Sequence, residues 1–336
     1  MKMLMFDFRE SEKEFFERNK FTDIDITFIP EPLNEMTVLS EEQLEDTDVV
    51  SVFITSCITE EVIKKFKNLR IITTRSTGYN HIDVKACSQN NIAVFNVEEY
   101  GQTSVAQYTF ALLLTLVRNI FPAYMDVQRH LINHPDYEGR NLNKLTLGII
   151  GCGAIGSAVA KIANFFDMSI LVYSYAKRTD VSAFAEYTTL EDLLSRSDIV
   201  TLHLPYNNDV YHMLGEKELG LMKEGSYLIN TARGELIDLV ALYDNLVCGK
   251  IKGVALDVFE CEHLALNGDD VIDEIKKENS KCITSALVMQ KMLGMENVII
   301  TPHIAYNTQE SIDTLLETTF NNIRDFSKGM HSNQVC

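Results

Sequence analysis

Apolar residues recur along this chain in short blocks, each followed by a stretch with helical spacing. Residues 1–8, 24–29, 48–54, 70–74 and 92–97 read as strands, and 11–18, 59–66 and 84–90 read as helices between them. Acidic residues 41–45 form a further short helix before the third strand. Such alternation predicts a parallel sheet with helices on both faces, so the first hundred residues make a small α/β unit. Residues 103–117 form a long apolar helix, suited to linking two units, and polar 130–143, with Pro135 and Gly139, reads as a loop. A second alternation begins at Leu145, with strands expected at 147–150, 170–173, 199–204, 226–230, 253–258 and 298–301. The fold class is therefore α/β, with two domains, each a parallel sheet with helices on both faces. The last helix, 309–326, lies beyond the second set and is expected to return to the first unit. That gives one domain of 1–100 plus 305–336 and another of 101–304.

The segment from Leu145 to Ala163 organises the second domain. Its strand runs into Gly151, Gly153 and Gly156, spaced G-x-G-x-x-G, and then into a helical pattern. The first glycine allows a tight turn, the second lets backbone approach a pyrophosphate, and the third lets helix and strand pack closely. The N–H groups and positive end of the helix would then face the phosphates. Strand before and helix after make this a dinucleotide site, with Ile155 lining it.

Bulk properties narrow the partners. The chain has 336 residues, 46% of them apolar, and a formal net charge of −18. That charge argues against nucleic acid or an anionic membrane as a partner. The start of the chain turns acidic before a leader's apolar region could form, and residues 110–117, the longest apolar run, are too short to span a bilayer. A cytoplasmic location is expected. Seven cysteines are scattered without a C-x-x-C pair. They read as reduced thiols rather than a disulfide framework, and no metal site is expected.

Five ordered landmarks go beyond a generic dinucleotide fold. They are Gly151–Gly156, Ser197–Pro205 (SDIVTLHLP), Asn230–Asp238 (NTARGELID), Ala255–Glu262 (ALDVFECE) and Thr301-Pro302-His303. In this order and spacing the chain resembles the D-isomer-specific 2-hydroxyacid dehydrogenases over essentially its whole length, most of all the D-lactate dehydrogenase branch with its vancomycin-resistance type. The resemblance implies a Rossmann dinucleotide-binding domain inserted in a flavodoxin-like substrate domain, and a homodimer built on the nucleotide domains. It also implies an Arg–Glu–His set: Arg233 anchors the substrate carboxylate, Glu262 accepts a hydrogen bond from the imidazole, and His303 gives a proton to the carbonyl oxygen of a 2-oxo acid. Glu260 and Glu262 both follow Asp257, and either could face the site from spacing alone; the family's register selects Glu262. Asp257, Thr231, Ala232, Leu204 and Pro205 are implied to line the cofactor. Thr77 and Gly78 would receive the substrate carboxylate on backbone N–H groups. Tyr100 and Phe53 would narrow the pocket, although Phe53 reads equally as core. Two aromatics favour a small side chain, so pyruvate is the expected substrate; larger branched or aromatic 2-oxo acids, or a nucleotide-sensing binding role, are the alternatives. Closure of the cleft between domains is expected to exclude water.

The chain departs from the pattern in three places. The general fingerprint puts an Asp about 20 residues after the glycines to bind the ribose 2′-OH. Here that strand ends at Ser174, with Lys177 and Arg178 nearby. A hydroxyl and two cations would accept a 2′-phosphate, so the cofactor is NAD(P)H with NADPH favoured. Gln107 stands where the family usually has an acid. Residues 263–296 form an unusually long segment, read as a surface excursion with a helix over 282–293.

Overall fold

The computed structural model describes residues 1–131, 137–262 and 280–336. Parts of the expected 130–143 loop and of the long 263–296 segment therefore lie outside the described residues. Contacts divide the chain into two units, Met1–Tyr100 with Asn307–Cys336, and Gly101–Tyr306.

The first unit holds five strands: β1 (Lys2–Met5), β2 (Asp25–Phe28), β3 (Val49–Val52), β4 (Ile71–Thr74) and β5 (Ala93–Phe95). All pair in parallel, in the order β2-β1-β3-β4-β5, with registers such as Val50 opposite Ile72. β3 and β4 are buried at every residue, as expected of strands covered on both faces, whereas the edge strand β2 is largely exposed. Helix Gln309–Ser327 belongs to this unit, where Phe320 stacks on Phe21 at 3.9 Å. Asn322 Nδ2 donates to the Asn96 carbonyl at 3.0 Å, and the chain end pairs Val335 N with the Val94 carbonyl at 2.7 Å.

The second unit carries β6 (Thr146–Ile150), β7 (Ser169–Tyr173), β8 (Glu186–Tyr187), β9 (Ile199–Leu202), β10 (Ser226–Asn230), β11 (Ile251–Leu256) and β12 (Val298–Ile300). They form one parallel sheet in the order β12-β11-β10-β9-β6-β7-β8. Counted from β6, this is the 3-2-1-4-5-6 doubly wound order with a seventh strand added. The sequence pattern gives six of these strands. The two-residue β8 is too short to show any alternation, since only Leu171 and Val172 of β7 pair with it.

The apolar helix Gln102–Val117 buries Ala106, Leu113 and Val117 in the core of the second unit. Helix Ile120–Gln128 follows at once and has no expected counterpart in the sequence pattern. None of its residues is buried, and its helically spaced apolar residues Ile120, Phe121, Tyr124 and Val127 are exposed. Pro122 sits in its first turn, where a missing N–H costs nothing. Among the described residues no single helix is long and apolar enough to cross a membrane; these two, bent by 65°, pass together only by length and composition.

Candidate active site

The turn and packing constraints expected of the first and third glycines are visible in the backbone. Gly151 has φ +93°, and a Cβ there would meet the His203 carbonyl at 2.7 Å. At Gly153, the N-cap of helix Ala154–Phe165, a Cβ would meet nothing within 4 Å. The backbone is open to a ligand there. A Cβ on Gly156 would lie 2.0 Å from the Gly151 oxygen, so only glycine lets this helix start so close to β6. Ile155 lies on the same first turn and is partly buried. This cradle fits a dinucleotide pyrophosphate.

At the end of β7, the Cys152 N–H donates to Ser174 Oγ at 3.3 Å, so the serine hydroxyl faces the glycine turn. The two expected cations are partly engaged. Arg178 pairs with Asp180 at 3.2 Å, which raises its pKa, and Asp180 also binds Lys161 at 2.8 Å. Lys177 lies over the Tyr187 ring at 5.7 Å. Leu204 packs against Gly151, followed by Pro205 at the carboxyl end of β9. Beside it His203 is buried, with Nε2 3.0 Å from Thr201 Oγ1, and burial pushes its pKa down to about 3.

Arg233, Glu262 and His303 follow β10, β11 and β12, three neighbouring strands, at their carboxyl ends. Asn230 shapes the first turn: its side chain accepts from Ala232 N at 3.0 Å and donates to the Arg233 carbonyl at 2.8 Å. Thr231 Oγ1 lies 3.0 Å from Thr109 Oγ1, and the Arg233 guanidinium bends back to the Ala232 carbonyl at 2.6 Å. A Cβ on Gly234 would lie 2.1 Å from the Phe259 carbonyl carbon, so the Arg233 turn presses directly on the turn that leads to Glu262.

Glu262 Oε2 meets His303 Nδ1 at 3.2 Å, and Glu262 Oε1 accepts from Phe259 N at 3.2 Å. The two side chains are 30% and 28% exposed, open enough for a substrate to reach. Of the two acids left open by spacing, Glu262 faces His303, while Glu260 turns to Tyr211 and His212. His303 has φ +55°, and its N–H bonds the Asp257 carbonyl at 2.9 Å. Asp257 is buried, and its carboxylate is taken up by Thr301 Oγ1 at 2.5 Å, Ile304 N at 3.0 Å and Ala305 N at 2.8 Å. Its visible work is to brace the His303 loop. The sequence signal for that role is only its place immediately after β11.

In the first unit, the Thr77 hydroxyl donates to the Val97 carbonyl at 2.9 Å, and the Ser76 hydroxyl donates to the Gly78 carbonyl at 2.6 Å. Among the described residues no hydrogen bond from the Thr77 or Gly78 N–H is formed, which leaves both donors for a ligand. Arg75 braces this loop from beneath, buried with its guanidinium donating to the Phe6 and Asp7 carbonyls at 2.8 and 3.0 Å. Phe53 is 5% exposed with the Arg9 guanidinium 4.7 Å over its ring, and Tyr100 is half-buried.

One expectation is overturned. Cys261 and Cys282 form a disulfide, so the cysteines are not all free thiols. The partners stand 21 residues apart across the long segment, a distance that no local spacing rule reads. Cys57, Cys87, Cys152, Cys248 and Cys336 remain free. Alkylation of the denatured, unreduced protein should therefore modify five cysteines by mass, and prior reduction should add two.

A glycine cradle at the first turn of a doubly wound sheet, with an Arg, a Glu–His pair and their turns at the far strand ends, defines a dinucleotide-dependent oxidoreductase. The family model described as D-isomer specific 2-hydroxyacid dehydrogenase, NAD binding domain, matches residues 110–305. A D-specific alpha-keto acid dehydrogenase of Enterococcus faecium is 37% identical over 264 residues, covering 79% of this chain and 78% of that protein. An aromatic 2-oxoacid reductase of Clostridium sporogenes is 34% identical, covering 86% of each. Among solved structures, a D-lactate dehydrogenase from Aquifex aeolicus complexed with NAD and lactic acid superposes with a TM-score of 0.84 at 35% identity, covering 99% of this chain and 98% of that one. The chain belongs to the D-isomer-specific 2-hydroxyacid dehydrogenases, in the D-lactate dehydrogenase branch.

Proposed function

We propose that this enzyme reduces pyruvate to D-lactate, using NADPH at least as well as NADH, with Arg233, Glu262 and His303 as its catalytic set. The observation that carries the reading is the Glu262–His303 contact, which leaves the opposite imidazole nitrogen, Nε2, without a partner among the described residues. Bound nicotinamide supplies the hydride for C2 of the 2-oxo acid. His303 holds the proton at Nε2 and gives it to the carbonyl oxygen. Glu262 fixes the imidazole tautomer with its free nitrogen toward substrate. Arg233 offers a planar fork to the carboxylate and the carbonyl oxygen, once it leaves the Ala232 carbonyl. Thr77 and Gly78 add backbone donors for the same carboxylate. Asp257, Thr231 and Ala232 shape the nicotinamide end, and Gly151, Gly153, Ile155, Gly156, Leu204 and Pro205 hold the rest of the cofactor.

Ser174 supports the NADPH reading, because a carboxylate at that strand end would repel a 2′-phosphate. Asp180 works against it by occupying Arg178. Initial rates on pyruvate, 2-oxoisocaproate and phenylpyruvate, each with NADH and NADPH, test substrate and cofactor together. Ser174→Asp is expected to raise the KM for NADPH at least tenfold, a cost of about 1.4 kcal/mol, and to leave that for NADH within about twofold. An unchanged NADPH KM would remove the role given to Ser174. The aromatic 2-oxoacid reductases among the relatives favour the larger-substrate alternative, which wins if phenylpyruvate gives the highest kcat/KM.

A homodimer is also proposed. Helix Ile120–Gln128 supports it by exposing Ile120, Phe121, Tyr124 and Val127, with Leu131 just beyond.

A further inference from the structure

Glu260 is the acid of the turn after β11 that does not face His303, yet it is the more heavily bonded of the two. Its Oε1 accepts from the Tyr211 hydroxyl at 3.0 Å. Its Oε2 lies 3.3 Å from both His212 Nε2 and Ser285 Oγ. The other nitrogen of His212 is 3.8 Å from Asp238, the Tyr211 and His212 rings stack at 4.0 Å, and Glu260 itself is only 16% exposed. These partners come from the loop after β9 and from helix Ser280–Met292, two elements that do not otherwise belong to the catalytic set. Burial of the Tyr211 hydroxyl and its bond to Glu260 push that phenol up to about 12.

The turn needs such an anchor. Residues 257–262 leave the sheet where β11 ends, and Cys261 takes a left-handed conformation at φ +60°. The Phe259–Glu260 peptide is the surface on which Gly234 rests, with a Cβ at Gly234 falling 2.4 Å from Glu260 N. A shift of this peptide would thus move Glu262 on one side and the Arg233 turn on the other. We propose that Glu260 is a positioning residue for the reaction, holding this peptide in place through Tyr211, His212 and Ser285. The Cys261–Cys282 bridge, which ties the same turn to the same helix, is the covalent half of the hold. The inference rests on the assignment of Arg233, Glu262 and His303 given above.

The test compares Glu260→Ala, Glu260→Gln and Glu262→Gln in the full chain, using pyruvate as substrate. Glu260→Ala should lower kcat about 10- to 100-fold, the range for a small misplacement of catalytic groups. Cofactor affinity by fluorescence titration should be unchanged. The KM for pyruvate should change by less than about threefold, so that the loss falls on kcat, as a loss of alignment alone does. Glu260→Gln should recover kcat to within about threefold, since its carbonyl oxygen still accepts from Tyr211 and its amide can donate to a neutral His212. Should Glu260→Ala not fold, the Tyr211→Phe, Ser285→Ala double variant should show the same loss confined to kcat, smaller in size. A normal kcat in Glu260→Ala (or, where that variant does not fold, in the double variant), alongside a damaged Glu262→Gln, would overturn the positioning role alone. Equal losses in the Ala and Gln variants would overturn it as well. Full activity in Glu262→Gln would instead remove the catalytic assignment beneath it.

Discussion

His303→Gln is expected to lower kcat for pyruvate reduction by about 10²–10⁴-fold, the usual contribution of a positioned general acid. The dissociation constant of NADPH or NADH should stay nearly unchanged. The expectation follows from the geometry on both sides of the ring. Nδ1 is committed to Glu262 at 3.2 Å, and Nε2 has no protein partner among the described residues. Glutamine can keep the hydrogen bond to Glu262, so the loop held by Asp257 through Thr301, Ile304 and Ala305 should survive the change. What it cannot do is deliver a proton near neutral pH. The loss should therefore fall on kcat and leave binding alone, which is the mark of an interaction made in the transition state only. Stopped-flow oxidation of NADPH on mixing with pyruvate reads the hydride step directly. A variant within tenfold of the parent would show that water protonates the oxyanion unaided, and His303 would lose its assigned role.

Much of this site is legible in the sequence because strand ends and glycine turns leave local signatures. Gly151, Gly153 and Gly156 are recognisable from spacing; the first and third reappear as close backbone approaches and the second as open backbone. Arg233, Glu262 and His303 are legible only through their order after successive strands, since an isolated Arg, Glu or His carries no such mark. The resemblance also chose Glu262 over Glu260, a choice that spacing alone left open. Three features lie outside that reading. The Cys261–Cys282 bridge joins a residue just before the long segment to one inside it, 21 positions on. Helix Ile120–Gln128 exposes Ile120, Phe121, Tyr124 and Val127, so their helical spacing marks no core-facing stripe. The third is Asp257, which reads as a cofactor residue by its motif, while its partners (a threonine hydroxyl and two backbone N–H groups) are visible only in three dimensions.

Mild acid should destabilise both units through buried histidines, well before carboxylates are protonated. In the first unit His81 packs against Thr74 Oγ1 at 3.0 Å, and burial pushes its pKa down to about 4 despite the nearby charge of Asp7. In the second, burial alone holds His203 at about 3. Both are neutral in the folded chain from neutral pH downward, whereas an unfolded chain protonates histidine near pH 6.5. Above that pH neither state binds the proton, so the stability is present in full. Below it the unfolded state gains protons that the folded state refuses, and stability falls until the folded-state values are reached. Each pH unit well inside that window costs about 1.4 kcal/mol per histidine, so between pH 6.5 and 4.5 each should remove about 2 kcal/mol. Asp180, held at about 2 by Lys161 and Arg178, acts only at lower pH and does not confuse the window. Thermal unfolding followed from pH 7.5 to 4.5 should show a steep loss in the parent protein. His81→Gln and His203→Gln should each flatten it by one proton's worth of slope, the first through the unit of Met1–Tyr100 and the second through that of Gly101–Tyr306. A variant with the parent's pH slope would mean that its histidine already takes up the proton in the folded protein.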